Sequence, residues 1–156
     1  MPSWDSADLL ARCKRYAADP AAVEALVPDD TVDAMWYALL TEAEAKWKPI
    51  FAAHDPGPMY SAPVKMTTDD GGVTYSIPDV TSTPLALEVY ADSKGTPLIP
   101  GAYWDRDADY VQEGAKIRMT AGRSRSFADG PWARYVARPG AIDADTDSTI
   151  QPAEHR

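Results

Sequence analysis

Four carboxylates near the C-terminus have a spacing that suits a calcium ion. Asp143, Asp145 and Asp147 alternate along the chain, and Glu154 follows at the twelfth position of the same span. Calcium-binding loops place oxygen ligands at these intervals, because the ion takes six to eight of them from a short, strongly curved segment. Such a loop would hold the cation between an incoming and an outgoing helix.

Other residues of this span argue against a calcium loop. Ser148 occupies the position where a glycine makes the sharp turn, and Pro152 would disrupt the outgoing helix. The incoming segment, Trp132–Val136, alternates like a strand. A second alternation of aspartates over residues 105–109 is weaker, because Lys116 stands where its terminal acid should be. We therefore predict no metal site.

The sequence also lacks the motifs of common catalytic and nucleotide-binding sites. It has no phosphate loop, no dinucleotide-binding glycine pattern and no nucleophile elbow. Its two histidines, His54 and His155, are far apart, and its one cysteine, Cys13, fits a helix core better than a nucleophile. Asp69 and Asp70 precede two glycines and are typical turn formers. These observations predict a protein that is not an enzyme and needs no cofactor.

Charge is distributed unevenly along the chain. The net charge is −9, which disfavours a dedicated nucleic-acid reader. Residues 116–138 nevertheless carry +5, between −11 in residues 1–115 and −3 in residues 139–156. We predict that this block and two apolar residues of the C-terminal segment contact a partner. The candidate interface residues are Arg118, Arg123, Arg125, Arg134, Arg138, Ile142 and Ile150.

Helical periodicity is confined to the first third of the chain. A helix is predicted from about Asp5 to Asp19-Pro20, and a short one over Ala21–Val27. The longest helix follows, and Pro49 is expected to end or kink it. One apolar face with a period near 3.6 is predicted to form its core side. That face consists of Val32, Trp36, Leu39, Ala43, Trp47 and Ile50, and Met35 and Leu40 broaden it.

Short β-strand patterns follow. Val64–Thr68 and Val73–Ile77 flank a glycine-rich turn and predict a hairpin. Leu85–Tyr90, Ile117–Met119 and Trp132–Val136 predict three further strands.

Helices followed by strands predict an α+β fold. We expect a helical part over residues 1–58, a small antiparallel β region over 59–138 and an extended C-terminal arm over 139–156. The arm has few large apolar residues, so it should be mobile in a free subunit and ordered in an assembly.

The second half of the chain carries a family resemblance. Tyr110-Val111-Gln112-Glu113-Gly114 precedes Ile117-Arg118, and the Trp132–Val136 strand comes next. Pro139, Ile142 and the run Ser148–Pro152 complete the order. With the helical first half, this order resembles head-to-tail adaptor (connector) proteins of tailed bacteriophages and of phage-like gene transfer agents. The specific matches lie within residues 105–156.

The resemblance implies a structural protein of the virion, made in the host cytoplasm and placed at the head–tail junction. Such adaptors form a homo-oligomeric ring, typically of twelve copies, between the portal protein and a downstream tail or stopper protein. DNA passes through without sequence-specific contact, and no membrane is involved. An acidic chain agrees with this role, because a negative wall repels phosphates.

Two other interpretations stay open. The chain fits another phage structural or tail-completion module that is monomeric until it docks. It also fits a small β-rich module that binds sugar or peptide on an aromatic platform, namely Tyr103, Trp104 and Trp132.

Overall fold

A computed structural model describes most of the chain. The described residues are 6–17, 19–28, 31–68, 70–102, 104–120, 127 and 129–142. Over these residues the chain forms three α-helices followed by seven short strands, so the predicted α+β fold is confirmed. The chain divides into a helical unit, Met1–Phe51 with Pro139–Arg156, and a β unit, Ala52–Arg138. The segment from Pro139 is thus grouped with the helices.

Helix α1 spans Ser6–Tyr16 and has Lys14 and Arg15 in its last turn, where cations offset the negative end of the helix dipole. Helix α2 spans Pro20–Glu24 and is shorter than the sequence predicts. Asp19 caps it, because its Oδ1 accepts a hydrogen bond from the Ala22 N–H at 3.1 Å.

Helix α3 spans Val32–His54 and contains Pro49. Pro49 does not end this helix, so that alternative of the prediction is wrong. Helix α3 continues for five residues beyond Pro49. Proline deletes one hydrogen bond, the one its N–H would donate to the Ala45 carbonyl. Trp47 and Phe51 pack edge-to-face on either side of Pro49, with ring centroids 5.4 Å apart, and this contact supports the continuation.

The buried side of α3 matches the predicted apolar face only in part. Trp36 and Leu40 are buried as predicted, and Val32 and Met35 pack against their cluster. Leu39 and Ile50, however, are 43% and 59% exposed, and Ala43 is exposed as well. The buried residues recur every four positions instead: Trp36, Leu40, Glu44, Lys48 and Ala52. An α-helix turns by about 100° per residue, so residues four apart point in directions that differ by about 40°. The row of buried residues therefore winds gradually around the helix. Two of its members are charged, which a search for apolar periodicity cannot find.

The helical unit has its own core, which joins all three helices and the segment after Pro139. Leu10, Trp36, Leu40 and Ile142 form the buried cluster, and Cys13 packs against it as expected of a core residue. The Trp36 Nε1–H donates to Glu24 Oε1 at 3.0 Å. The Ile142 N–H donates to Thr41 Oγ1 at 2.9 Å, which attaches this part of the predicted arm to α3.

The β unit contains two small sheets. The three-stranded sheet has the order β1–β7–β3 and the four-stranded sheet the order β2–β6–β5–β4. The strands are β1 Val64–Lys65, β2 Thr74–Ser76, β3 Ala86–Tyr90, β4 Pro100–Gly101, β5 Tyr110–Glu113, β6 Lys116–Met119 and β7 Trp132–Val136. All pairs are antiparallel except β4 with β5, which is parallel. Buried residues from both sheets form one core cluster.

The predicted hairpin between β1 and β2 is largely wrong. These strands belong to different sheets, and only the bridge between Thr67 and Ser76 joins their ends. The Met66 N–H donates to the Pro131 carbonyl at 2.9 Å, so the first segment continues along the strand that follows Pro131. Long-range partners therefore prevail over the local turn.

The turn itself forms as predicted at Asp70. Asp70 Oδ1 accepts hydrogen bonds from the N–H groups of Val73 at 3.1 Å and Thr74 at 2.8 Å, and from the Thr68 hydroxyl at 2.9 Å. These bonds, above all the one from the Thr74 N–H, lower the pKa of Asp70 to about 2. Asp69 lies outside the described residues.

Replacing Trp36 with alanine should lower the free energy of unfolding by about 3–5 kcal/mol, because a buried aromatic side chain leaves a cavity. The control is Leu39→Ala, on an exposed position of the same helix, which should cost far less. Urea unfolding followed by circular dichroism measures both. Equal effects of the two variants would contradict this assignment of the buried side.

Replacing Asp70 with asparagine should destabilise the chain near neutral pH. A carboxyl whose folded pKa is depressed stabilises the fold above its ordinary pKa, and that contribution is lost as the pH falls towards 2. The difference in melting temperature between wild type and variant should therefore shrink on acidification. Asp107→Asn, at an exposed aspartate, is the control. A difference that stays constant from about pH 6 to about pH 2 would refute the role of the Asp70 charge.

Candidate functional site

The structure does not gather the candidate interface residues into one patch. Arg118 lies on β6 of the four-stranded sheet, Arg134 on β7 of the three-stranded sheet, and Arg138 after β7. Ile142 lies in the core of the helical unit. The other three candidates, Arg123, Arg125 and Ile150, lie outside the described residues.

Arg118 is held by its own hairpin. Its Nε donates to Glu113 Oε1 at 2.6 Å, and the arginine side chain is 31% exposed. β5 and β6 place the two residues together because Gly114, at φ 68°, makes the tight turn between them. Part of the positive charge counted in this block is therefore balanced within the chain.

Arg134 is the centre of a polar cluster on the three-stranded sheet. Its guanidinium carbon lies 5.2 Å from the centroid of the Tyr60 ring, and its Nε donates to the Ser61 carbonyl at 3.4 Å. Glu88 lies directly opposite on β3 and accepts a hydrogen bond from the Tyr90 hydroxyl. Arg134 thus stacks on one ring and donates to the backbone beside it.

The pKa values of two buried tyrosines are raised by burial and by the charge of this cluster. Burial, followed by the nearby Glu88 carboxylate, raises the pKa of Tyr60 to about 12. Burial, Tyr60 and Glu88 raise the pKa of Tyr110 to about 12 as well. Both phenols therefore stay protonated at physiological pH and act as hydrogen-bonding groups of the fold.

Arg138 and Ile142 differ from each other in exposure. Arg138 is exposed, and its Nε donates to the Thr83 carbonyl at 2.8 Å. Ile142 is 5% exposed and packs against Leu10, Trp36 and Leu40 of its own chain. Arg138 can therefore reach a partner without rearrangement, whereas the Ile142 side chain is already covered.

The proposed aromatic platform is only partly assembled. Trp132 lines a hollow of about 360 Å³ together with Tyr90, Lys94 and Arg134. Trp104 is 83% exposed, on the loop after β4, and is not part of this lining. Tyr103 lies outside the described residues. Of the two described members of the platform, Trp132 lines a concave site and Trp104 does not.

Among the described residues, no three side chains of histidine, cysteine, aspartate or glutamate converge on a possible metal position. The Asp105 carboxylate accepts from the Asp107 N–H, and the buried Asp109 carboxylate accepts from the Ile99 N–H at 3.0 Å. The alternating acids of this loop thus serve its backbone. The other aspartate series, from Asp143, lies outside the described residues.

Two further chemical features belong to the helices. Burial raises the pKa of the Cys13 thiol, which reduces its thiolate fraction. In the part of the chain that the structure covers, no helix is long and apolar enough to cross a membrane.

Helix α3 carries two apolar surfaces that the sequence analysis did not find. The first, here called the α3 ridge, consists of Leu39, Ala43, Trp47 and Ile50. Leu39, Ala43 and Ile50 are exposed and Trp47 is half-buried. The periodicity of these residues predicts a core face, and that prediction is wrong for Leu39, Ala43 and Ile50.

The second surface, here called the α3 groove, is a cavity of about 680 Å³. Its apolar lining comprises Ala34, Ala38, Ala45, Ala141 and Ile142, and its remaining lining residues are Asp33, Tyr37, Thr41 and Glu42. Ala34, Ala38 and Ala45 are exposed. The alanine spacing is the only sequence signal for this groove, and alanine is common in helices for its propensity alone.

No family model, curated protein or solved structure matches this chain. The structure defines it as an α+β protein with a polar cluster on one sheet and two open apolar surfaces on its longest helix. Its function must therefore be argued from these residues.

Replacing Arg134 with glutamine should destabilise the free chain by about 1–3 kcal/mol, since a stacked, partly buried cation and its bond to a backbone carbonyl are lost. The matched variant, Arg138→Gln at an exposed site, should cost about 0–1 kcal/mol. Thermal unfolding of the two variants at equal concentration tests this. Similar melting temperatures would show that Arg134 is not required for the fold.

Proposed function

We propose that this chain is the structural subunit of a head-to-tail adaptor. In this role it forms a ring of copies beneath a phage-type portal protein, extends the DNA channel towards a tail or stopper protein, and catalyses no reaction. The observation that carries the proposal is the α3 ridge, an apolar surface left open to solvent on the longest helix of the chain.

The ridge supports an assembling protein because exposed apolar residues in a row cost free energy in water. Leu39 and Ile50 expose 43% and 59% of their surfaces, and the neighbouring Phe51 exposes 38%. Contiguous apolar surface of this kind marks contact sites between proteins. A structural subunit that is buried on two sides by its neighbours needs such surface.

The charge of the chain supports the DNA conduit. The net charge is −9, and several cations are neutralised within the chain. Lys14 contacts both Glu24 and Asp33, Lys46 pairs with Glu42, and further pairs occur in the β unit. Paired cations release fewer counterions from DNA, so they hold duplex DNA weakly.

The resemblance to head-to-tail adaptors also falls on ordered elements. Its matching stretches between Tyr110 and Val136 form β5, β6 and β7, and β7 is the central strand of the three-stranded sheet. The matching run Ser148–Pro152 lies outside the described residues. Residues that define the resemblance therefore shape the β unit.

A second candidate function rests on the hollow beside Trp132. An indole flanked by Tyr90, Lys94 and Arg134 can stack on a sugar ring or a peptide side chain. This would make the chain a small binding module. Among the described residues, Trp104 of the predicted platform is not part of this hollow, so this function is less well supported than assembly.

Imaging of the purified full-length chain tests the proposal. Negative-stain microscopy and mass photometry over a range of concentrations should show closed rings, and duplex DNA should bind weakly at physiological salt. Combined replacement of Arg118, Arg123 and Arg125 by glutamine should reduce ring formation, because one pole of the charge asymmetry is removed. Arg134 is left intact so that the variant folds.

Circular dichroism of the triple variant is the control for folding. A wild-type chain that stays monomeric at all concentrations would refute the adaptor. If that monomer also binds oligosaccharides with a change in fluorescence that Trp132→Ala abolishes, the binding module is the correct function. Rings that form equally well with the triple variant would retain the adaptor and remove the role of these arginines.

A further inference from the structure

We infer that the α3 ridge of one copy packs into the α3 groove of the next copy, repeated in one direction around the assembly. This inference rests on the proposed function, because it names the contact by which copies of the chain associate. Both surfaces belong to the helical unit of a single chain, and the occupant of the groove is a second copy of that chain.

The first argument is direction. An α-helix turns by about 100° per residue. On this basis, the ridge residues of α3 and its groove residues centre on directions about 170° apart. The two surfaces therefore face almost opposite sides of one helix. They can each contact a different neighbour at the same time, whereas neither can cover the other within one chain.

The second argument is size. The ridge presents the large side chains of Leu39 and Ile50, with Trp47 between them. The helix side of the groove presents the small side chains of Ala34, Ala38 and Ala45. Helices pack by placing large side chains of one into the spaces between side chains of the other. A cavity of about 680 Å³ has room for several such side chains.

The third argument is charge in register. Placing the centre of the ridge opposite the centre of the groove slides one helix past its nearly parallel neighbour by about 8 Å, or five to six residues. A closed ring accommodates this slide when the helices are inclined to the ring axis. This shift brings Lys46 of one copy to within about 2 Å of the level of Glu42 of the next, measured along the helix axis. Both residues lie on the same flank of the contact. Their side chains are 73% and 62% exposed.

Within one chain, Lys46 Nζ and Glu42 Oε1 already form an exposed pair at 2.6 Å. Such a pair contributes little by itself. At the proposed contact each charge gains a second partner of opposite sign from the neighbouring copy. The charges thus favour the same register as the side-chain sizes.

These arguments select a head-to-tail contact over a two-fold one. A two-fold pairing of ridge against ridge would set large side chains against large ones and leave the groove empty. A contact between two different surfaces repeats until it closes into a ring or grows as a filament. The ridge has four residues, far fewer than the roughly 20–30 per partner of a stable interface, so one contact is weak and closure stabilises the whole.

Two matched double variants of the full-length chain test the inference. The ridge variant combines Leu39→Gln with Ile50→Gln, and the groove variant combines Ala38→Gln with Ala45→Gln. All four positions are exposed, and none of the changes alters the net charge. Each variant alone should associate at least tenfold more weakly than wild type in sedimentation velocity. Leu26→Gln, at a residue 80% exposed outside α3, should associate like wild type.

The mixture of the two variants gives the sharper result. The ridge variant keeps an intact groove and the groove variant an intact ridge, so a 1:1 mixture should form one contact per pair. Because a single contact is weak, we expect heterodimers only at concentrations well above those at which wild type forms rings, and these heterodimers do not grow into rings. Circular dichroism and melting temperature of each variant check that the fold is retained.

Several outcomes would overturn the inference. A groove variant that associates like wild type would mean that the ridge pairs with something other than the groove. If wild type forms rings but the mixture, even at high concentration, associates no more than either variant alone, the contact lies elsewhere and the adaptor function stands. A wild-type chain that never associates would refute both the contact and the adaptor.

Discussion

The open surfaces of α3 depend on a buried ion pair. Glu44 and Lys48 are 4% and 7% exposed, and their charged atoms lie 3.4 Å apart. Burial raises the pKa of Glu44, which shows that the site penalises its charge and that the pairing with Lys48 only partly offsets this. Taking two charges out of water is costly unless they stay together, and removing one partner leaves the other uncompensated.

This pair lies on the covered side of α3, in line with the residues that pack against α1 and α2. Trp36 and Leu40 are buried next to α1 and α2, and the line of burial then passes through Glu44 and Lys48 to Ala52. Turning the helix to bury Leu39 and Ile50 would bring Trp36 and Leu40 out of their core. The exposed ridge is therefore a consequence of the packing that the rest of the helix requires.

Sequence reasoning succeeded where local patterns determine the outcome. The α+β class follows from the change of period, and β7 and β3 follow from short alternating runs close to their observed bounds. The Asp19 cap and the Asp70 turn are likewise local. It failed where long-range partners decide, as in the separation of β1 from β2 and the choice of the buried side of α3.

The candidate site was harder to predict than the fold for the same reason. Counting charges over residues 116–138 gives +5, but the count does not show that Arg118 is bonded to Glu113 or that Arg134 stacks on Tyr60. The ridge and groove were present in the sequence as apolar and alanine spacings. A row of apolar residues on a helix can be a core face or a contact surface. Which of the two it is depends on the side of the helix that is covered, and three-dimensional packing decides that side.

The geometry of α3 also limits what this helix can decide about an assembly. In a straight filament the two contact directions of a subunit lie 180° apart, whereas a ring of about twelve copies needs roughly 150° between them. The ridge and the groove lie about 170° apart on an ideal helix. The difference between these arrangements is smaller than the angular width of either surface. In the proposed contact, helix α3 therefore specifies a head-to-tail arrangement and the residues that meet, while the number of copies would be set by contacts further from the helix axis, where a small rotation becomes a large displacement.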